Sequence, residues 1–237
     1  MKILAIDSST AKATVALYDS GRIAGKIEIS DSKTHSETLV PMIQQVLQEA
    51  GVAPSAVDYY AASIGPGSFT GLRIGVVTMK SIAMAVEKPC VAVPTLDALA
   101  YNVHEFEGLI CALIDARNDQ VFTAVYEGDT LLTDYMAKSV SELADDLCRL
   151  ACGKPVILVG DGAEKHVSYL TEQLKSVGAS CELAPMEKRL ADSASVAFVA
   201  ARLVEQGVIA DCDALAPEYL RKSSAEQAKE RALTQKG

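Results

Sequence analysis

No stretch of the 237 residues stays apolar for the roughly 18 positions that a membrane-spanning helix requires. No contact with a membrane is therefore expected. An export signal is not expected either. Met1-Lys2-Ile3-Leu4-Ala5-Ile6-Asp7 places a charge where such a signal remains apolar, which points to a cytoplasmic protein. Basic charge is scarce: 22 Lys and Arg against 31 Asp and Glu give a net charge of −9. A stand-alone nucleic-acid binder needs a basic face, because phosphate contacts supply most of its affinity. If the chain serves RNA chemistry, a partner is expected to hold the RNA. Cysteines in zinc-ligand spacing are missing as well. Cys90, Cys111, Cys148, Cys152, Cys181 and Cys212 show no second Cys or His pair at that spacing. Free structural thiols are expected, with neither metal nor disulfides.

What the chain does have is apolar residues, 49% of the total. A chain of this length buries roughly 70–75% of the surface its unfolded form exposes, so it needs no metal or disulfide to fold. Ile3 to Asp7 reads as a buried strand, Ser8-Ser9-Thr10-Ala11-Lys12 as a polar turn, and Ala13 to Asp19 as the returning strand. Ile23 to Ile29 adds a third strand, and His35 to Ala50 a helix closed by Gly51, with Pro41 making its start irregular. A strand over 57–64, a long helix from Thr70 to Val86, a short strand over Val91-Ala92-Val93 and a helix from Thr95 to Val103 follow.

The pattern then returns. Leu109 to Asp115, a polar turn and Val121 to Glu127 repeat the opening unit. With Asp7 set on Asp115, Ile6 falls on Ile114, Ala16 on Ala124, Leu17 on Val125 and Tyr18 on Tyr126, without a gap. This implies a duplication. Beyond it we expect a strand from Leu131 to Met136, helices over Ser141–Ala151, Ala163–Ser176 and Ser193–Glu205, and strands at Val156–Val159 and Cys181–Leu183. The expected division is an N-terminal subdomain over 1–104, a C-terminal subdomain over 105–222 and a polar tail over 223–237. A strand meander followed by alternating helices and strands, given twice, resembles the actin-like ATPase (ASKHA, ribonuclease H-like) fold. In that α/β class two duplicated subdomains each carry a mixed sheet flanked by helices.

Four places could carry chemistry. The first is the turn Asp7-Ser8-Ser9-Thr10. In ATPases of the actin-like fold the matching turn usually carries a glycine that lets the backbone approach the phosphates, and Ser8-Ser9 supplies none. A degenerate phosphate loop is the leading reading, with a working loop or a plain turn as alternatives. The second is Gly160-Asp161-Gly162, between a strand and a helix start, where an anion could sit but Asp161 would repel it. A tight turn explains it equally well. The third is Gly65-Pro66-Gly67-Ser68-Phe69-Thr70-Gly71-Leu72-Arg73-Ile74-Gly75, with the helix behind it. Up to Val86 this helix is charged only at Arg73 and Lys80, so it is either core or covered by a partner. Gly67, Gly71 and Gly75 thin one face, as if for another helix. The fourth is His35. A metal pair on a helix needs a second histidine one turn on, and that position is Leu39. The lone His35, like His104 and His166, reads as exposed or capping.

Ile6-Asp7-Ser8-Ser9-Thr10, His35-Ser36-Glu37-Thr38-Leu39-Val40-Pro41, the Gly65–Gly75 run, Asp115-Ala116-Arg117 and Pro217-Glu218-Tyr219-Leu220-Arg221 together resemble the bacterial TsaB (YeaZ) family, in order and spacing across nearly the whole chain. The resemblance implies a protein that acts in forming N6-threonylcarbamoyladenosine beside the anticodon of tRNAs reading ANN codons. It implies a non-catalytic paralogue that binds and activates the catalytic protein TsaD through N-terminal helices, forms homodimers by the same face, and meets TsaE in the complex. Contact with tRNA would be indirect, and no cofactor is expected. The interface expected on this basis comprises Leu39, Met42, Ile43 and Val46 on one helix, and Leu72, Arg73, Val76, Val77 and Lys80 on the next. The superfamily also goes by the names glycoprotease and peptidase M22. Two other functions therefore stay open: an actin-like-fold ATPase or kinase, and an M22-type metalloprotease.

Overall fold

The computed structural model describes residues 1–30 and 35–220. Arg221 and the expected polar tail lie outside them. Strands β1 (Lys2–Asp7), β2 (Ala13–Asp19) and β3 (Arg22–Ile29) form the meander. Helix α1 (His35–Glu49), β4 (Tyr59–Gly65), α2 (Phe69–Ala85), β5 (Cys90–Pro94) and α3 (Thr95–Tyr101) complete the first half. The second half runs β6 (Leu109–Asp115), β7 (Gln120–Glu127), β8 (Thr130–Leu131), β9 (Met136–Ser139), α4 (Val140–Ala151), β10 (Val156–Val159), α5 (Asp161–Lys175), β11 (Cys181–Leu183) and α6 (Ser193–Glu205).

The first sheet is ordered β3-β2-β1-β4-β5 and the second β11-β10-β6-β7-β8, with β9 also on β7. In each, an antiparallel hairpin is joined by a parallel strand beside its first member. The two orders are mirror readings of one plan, as duplication requires. Alternation along β1 sends Leu4 and Ile6 to the core under α1 and α2, and Ile3 and Ala5 to the core under α6. Leu109, Cys111 and Leu113 of β6 pack toward α4 and α5, and Ile110 and Ile114 toward α3. The closing helix of each half thus packs largely on the other half's sheet. Among the described residues, no helix is long and apolar enough to cross a membrane.

Two expectations change. The strand expected over Leu131–Met136 is two short pieces. Between them the Thr133 hydroxyl accepts from the Val125 amide at 3.0 Å, and the Tyr135 hydroxyl donates to Asp97 at 2.7 Å. Side-chain bonds replace the ladder there. The ungapped match of the two hairpins is also off by one residue on the outgoing strand. Ala16 pairs with Ala5, but Ala124 pairs with Ala112 rather than Leu113. The return strands match as aligned, whereas Ile114, not Asp115, takes the place of Asp7. A one-residue shift reverses which face a side chain serves. Asp7 therefore faces α6, and Asp115 faces α5.

Candidate functional site

The β1–β2 turn is closed by the chain itself. Asp7 is buried, and its carboxylate accepts from the Ser9 amide at 3.0 Å, from the Ser9 hydroxyl at 2.9 Å and, in a short bond, from the Ser63 hydroxyl. Burial raises its pKa above the ordinary 3.8, outweighing those bonds, and Asp192 adds a smaller repulsion. Both carboxylate oxygens are thus engaged within the protein. Ser8 and Ser9 are buried as well. The Ser8 hydroxyl donates to the Gly71 carbonyl at 2.9 Å, and the Ser68 amide to the Ser9 carbonyl at 2.7 Å. Thr10 is held through its carbonyl, 2.8 Å from His35 Nε2. His35, expected to be exposed or capping, fastens the start of α1 to this turn.

The glycines of the third motif find their reason here. A Cβ on Gly71 would overlap the Ser8 carbonyl oxygen, and one on Gly75 the Ser8 hydroxyl. The face they thin receives the Ser8-Ser9 turn, not another helix. Helix α2 starts on its Ser68 cap, whose hydroxyl accepts from the Gly71 amide at 3.3 Å. Its first turns lie against the Ser8-Ser9 turn.

The second glycine pair is filled too. Asp161 begins α5, and its carboxylate accepts from the Asp115 amide at 3.0 Å. A Cβ on Gly160 would overlap the Leu113 carbonyl. Burial raises the pKa of Asp161. The place resembles a strand-to-helix turn more than an anion cradle. Asp115 meets Lys165 at 3.6 Å. Among the described residues, no group of three His, Cys, Asp or Glu side chains is placed to hold a metal ion.

The nine residues expected at a partner interface separate into two groups. Leu39, Met42, Ile43, Val46, Leu72 and Val76 are buried in the chain's own core. They cannot meet a partner while that core is intact, because the apolar stripe of each helix is spent on the first sheet. Arg73 and Val77 are exposed, and Lys80 is half-buried. Val77, at 59%, is the most open of the large apolar residues of α2, followed by Met84 at 51% and Phe69 at 38%, with Val40 of α1 at 43%. Helical spacing sets Phe69, Arg73, Val77, Lys80 and Met84 on one side of α2, opposite Gly71 and Gly75.

Arg73 and Lys80 also have a task that the sequence did not reveal. After α6 the chain runs back along α2 as a strap. Lys80 Nζ donates to the Asp213 carbonyl at 2.9 Å, and Leu215 is buried in the core beside α1 and α2. Arg73 Nε donates to the Tyr219 hydroxyl at 2.7 Å. Its guanidinium lies 3.9 Å from the centre of the Phe69 ring, and Phe69 stacks on Tyr219 at 4.9 Å. The Glu218 amide donates to the Ile64 carbonyl at 2.8 Å. The only hint in the sequence was the recurrence of Pro217-Glu218-Tyr219 in the family pattern.

Comparison with known proteins shows which proteins the chain is similar to. The protein-family model of TsaD, tRNA N6-adenosine threonylcarbamoyltransferase, matches residues 25–229. The tRNA threonylcarbamoyladenosine biosynthesis protein TsaB of Bacillus subtilis is 30% identical over 228 residues, 95% of this chain and 96% of that one. The chain belongs to the TsaB (YeaZ) family. A crystal structure from Pseudomonas aeruginosa, described as similar to peptidase YeaZ, superposes with a TM-score of 0.79 at 29% identity, covering 93% of this chain and 99% of that one. A hexokinase of the ROK type from Thermus thermophilus reaches a TM-score of 0.54 at 13% identity, over 87% of this chain and 100% of that one. That likeness bears on fold alone, and the fold is the actin-like one.

Proposed function

We propose that this TsaB-family chain is the non-catalytic subunit that binds and activates TsaD in forming N6-threonylcarbamoyladenosine on tRNAs reading ANN codons. One observation carries the reading: α2 uses one side to receive the Ser8-Ser9 turn and leaves Phe69, Val77 and Met84 exposed on the other, beside the strap. The filled turn leaves no room for a nucleotide phosphate at Asp7, which counts against an ATPase or kinase. The open side, with Phe69, Val77 and Met84 exposed on α2 and Val40 on neighbouring α1, has the apolar, aromatic and arginine content of a protein interface. TsaD would dock there, and a second copy of the chain would use the same side when TsaD is absent. TsaE joins the assembly. With a net charge of −9, this subunit leaves tRNA to its partners.

The test is reconstitution. The protein is co-purified with TsaD of the same organism, and threonylcarbamoyladenosine formation on tRNA is measured with and without it. A stable complex, modification that depends on it and no ATP turnover by this chain alone are expected. ATP hydrolysis by the chain alone, or full modification without it, would overturn the reading.

A further inference from the structure

The sulfur atoms of Cys90 and Cys212 lie 3.2 Å apart, although 122 positions separate them in the chain. Cys90 opens β5 and is fully buried. Cys212 opens a short 3-10 turn, Cys212–Ala214, and is only partly covered. The backbone holds the pair in place. The Cys90 amide donates to the Ala210 carbonyl at 3.0 Å, and the Ala210 amide donates back at 2.9 Å. The Cys212 thiol also reaches the Lys88 carbonyl at 3.0 Å. A bonded sulfur pair stands about 2.05 Å apart, so closure needs roughly 1 Å of approach. The other thiols have oxygen partners: Cys111 meets Thr123, Cys148 the Gln173 carbonyl, Cys152 the Arg149 carbonyl, and Cys181 the Thr171 side chain.

We propose that Cys90 and Cys212 are a redox modification site, forming a reversible intramolecular disulfide with a low-molecular-weight disulfide such as glutathione disulfide as oxidant. Cys212 takes the first step. It borders a surface cavity of about 340 Å³ lined also by Met84, Lys88 and Pro89, through which the small disulfide arrives. The Cys212 thiolate attacks one of its sulfurs and one glutathione leaves as a thiol. Cys90 then gives up its proton and attacks the Cys212 sulfur, and the second glutathione leaves. Two protein thiols lose two electrons and two protons, and one small disulfide becomes two thiols. Burial pushes the Cys90 thiol up to about 12, so Cys90 acts only as the resolving partner of an already oxidised Cys212. The new bond fastens the strap that carries Asp213, Leu215 and Tyr219 to β5 and so to the end of α2.

The experiment uses the full chain, first reduced and then incubated with glutathione disulfide. Free thiols are counted, peptides are mapped without reductant, and thermal melting is recorded. The expected result is loss of two of the six thiols, a cross-linked peptide joining Cys90 to Cys212, and a rise in Tm on the order of 10 °C that a dithiol reverses. Cys212→Ser leaves the buried sulfur in place and should lose both the cross-link and the rise. Cys148→Ser/Cys152→Ser should keep both. An unresolved glutathione adduct at Cys212, a cross-link between other cysteines, or an unchanged thiol count would each overturn the proposal.

Discussion

Asp7 holds a position that its environment makes costly for a charge. It is buried, its acceptor bonds come from Ser9 and Ser63, and its pKa is raised above 3.8. The unfolded chain releases this proton in the ordinary carboxylate range, whereas the folded chain holds it to higher pH. Its contribution to stability therefore falls as pH rises from 3.8 through the raised value, and stays reduced at neutral pH. Asp7→Asn keeps an acceptor for the Ser9 amide and removes the charge. At pH 7 the variant should melt no lower than the parent, higher by about 2–4 °C for each kcal/mol gained. The difference should shrink toward pH 4, as thermal melts across pH would show. A variant that fails to fold, or that loses a measurable ATP affinity, contradicts this account. Gly75 tests the other side of the contact. Alanine is the better helix former by about 1 kcal/mol, so propensity alone predicts a gain from Gly75→Ala. Overlap with the Ser8 hydroxyl predicts instead a loss of about 2 kcal/mol by urea unfolding. Adding Ser8→Ala should recover part of that loss. Additive effects of the two changes would show that they do not meet.

Helix α2 is where element-scale reading of the sequence succeeded and then overreached. Its near-absence of charge announced a helix enclosed on most sides, and its bounds differ from the expected ones by a single residue at each end. Which side is enclosed was not visible. Val76 and Val77 are neighbours in sequence, yet one is 1% exposed and the other 59%. Their effects should separate accordingly. Val76→Ala should cost about 2 kcal/mol and weaken TsaD binding only as far as it unfolds the chain. Val77→Asp should leave stability within about 0.5 kcal/mol, yet abolish co-purification with TsaD and the dependent tRNA modification. Unchanged complex formation by Val77→Asp would place the interface elsewhere.

At the scale of the molecule, the two halves are interlocked. Helix α6 covers Ile3, Ala5, Tyr18, Val91 and Val93 of the first sheet, and α3 places Leu96 and Leu99 against the second. The Ser193 amide donates to the Thr14 hydroxyl at 2.9 Å, across 179 positions. A fragment ending at residue 104 would therefore expose that face of its sheet. It should aggregate or bind hydrophobic dyes, whereas a chain ending at residue 220 should remain monodisperse at low concentration. Scattering and dye fluorescence distinguish these outcomes. A compact, soluble 1–104 fragment would mean that α6 is dispensable to the first sheet.

The sequence by itself determined most of the elements, the fact of their duplication though not its register, and the family. Strand alternation, helical apolar stripes and glycine or proline breaks are local, and the motif run from Gly65 to Gly75 needs only order and spacing to be recognised. The tertiary structure alone decided what each motif touches. Whether Gly71 and Gly75 admit a helix or a turn, whether Leu39 or Val77 faces outward, that Arg73 and Lys80 hold the chain's own strap, and that Cys90 meets Cys212 all depend on contacts between distant segments. Local periodicity gives the side of an element that is apolar. Only packing, which sets distant surfaces against one another at atomic distance, gives the neighbour on that side.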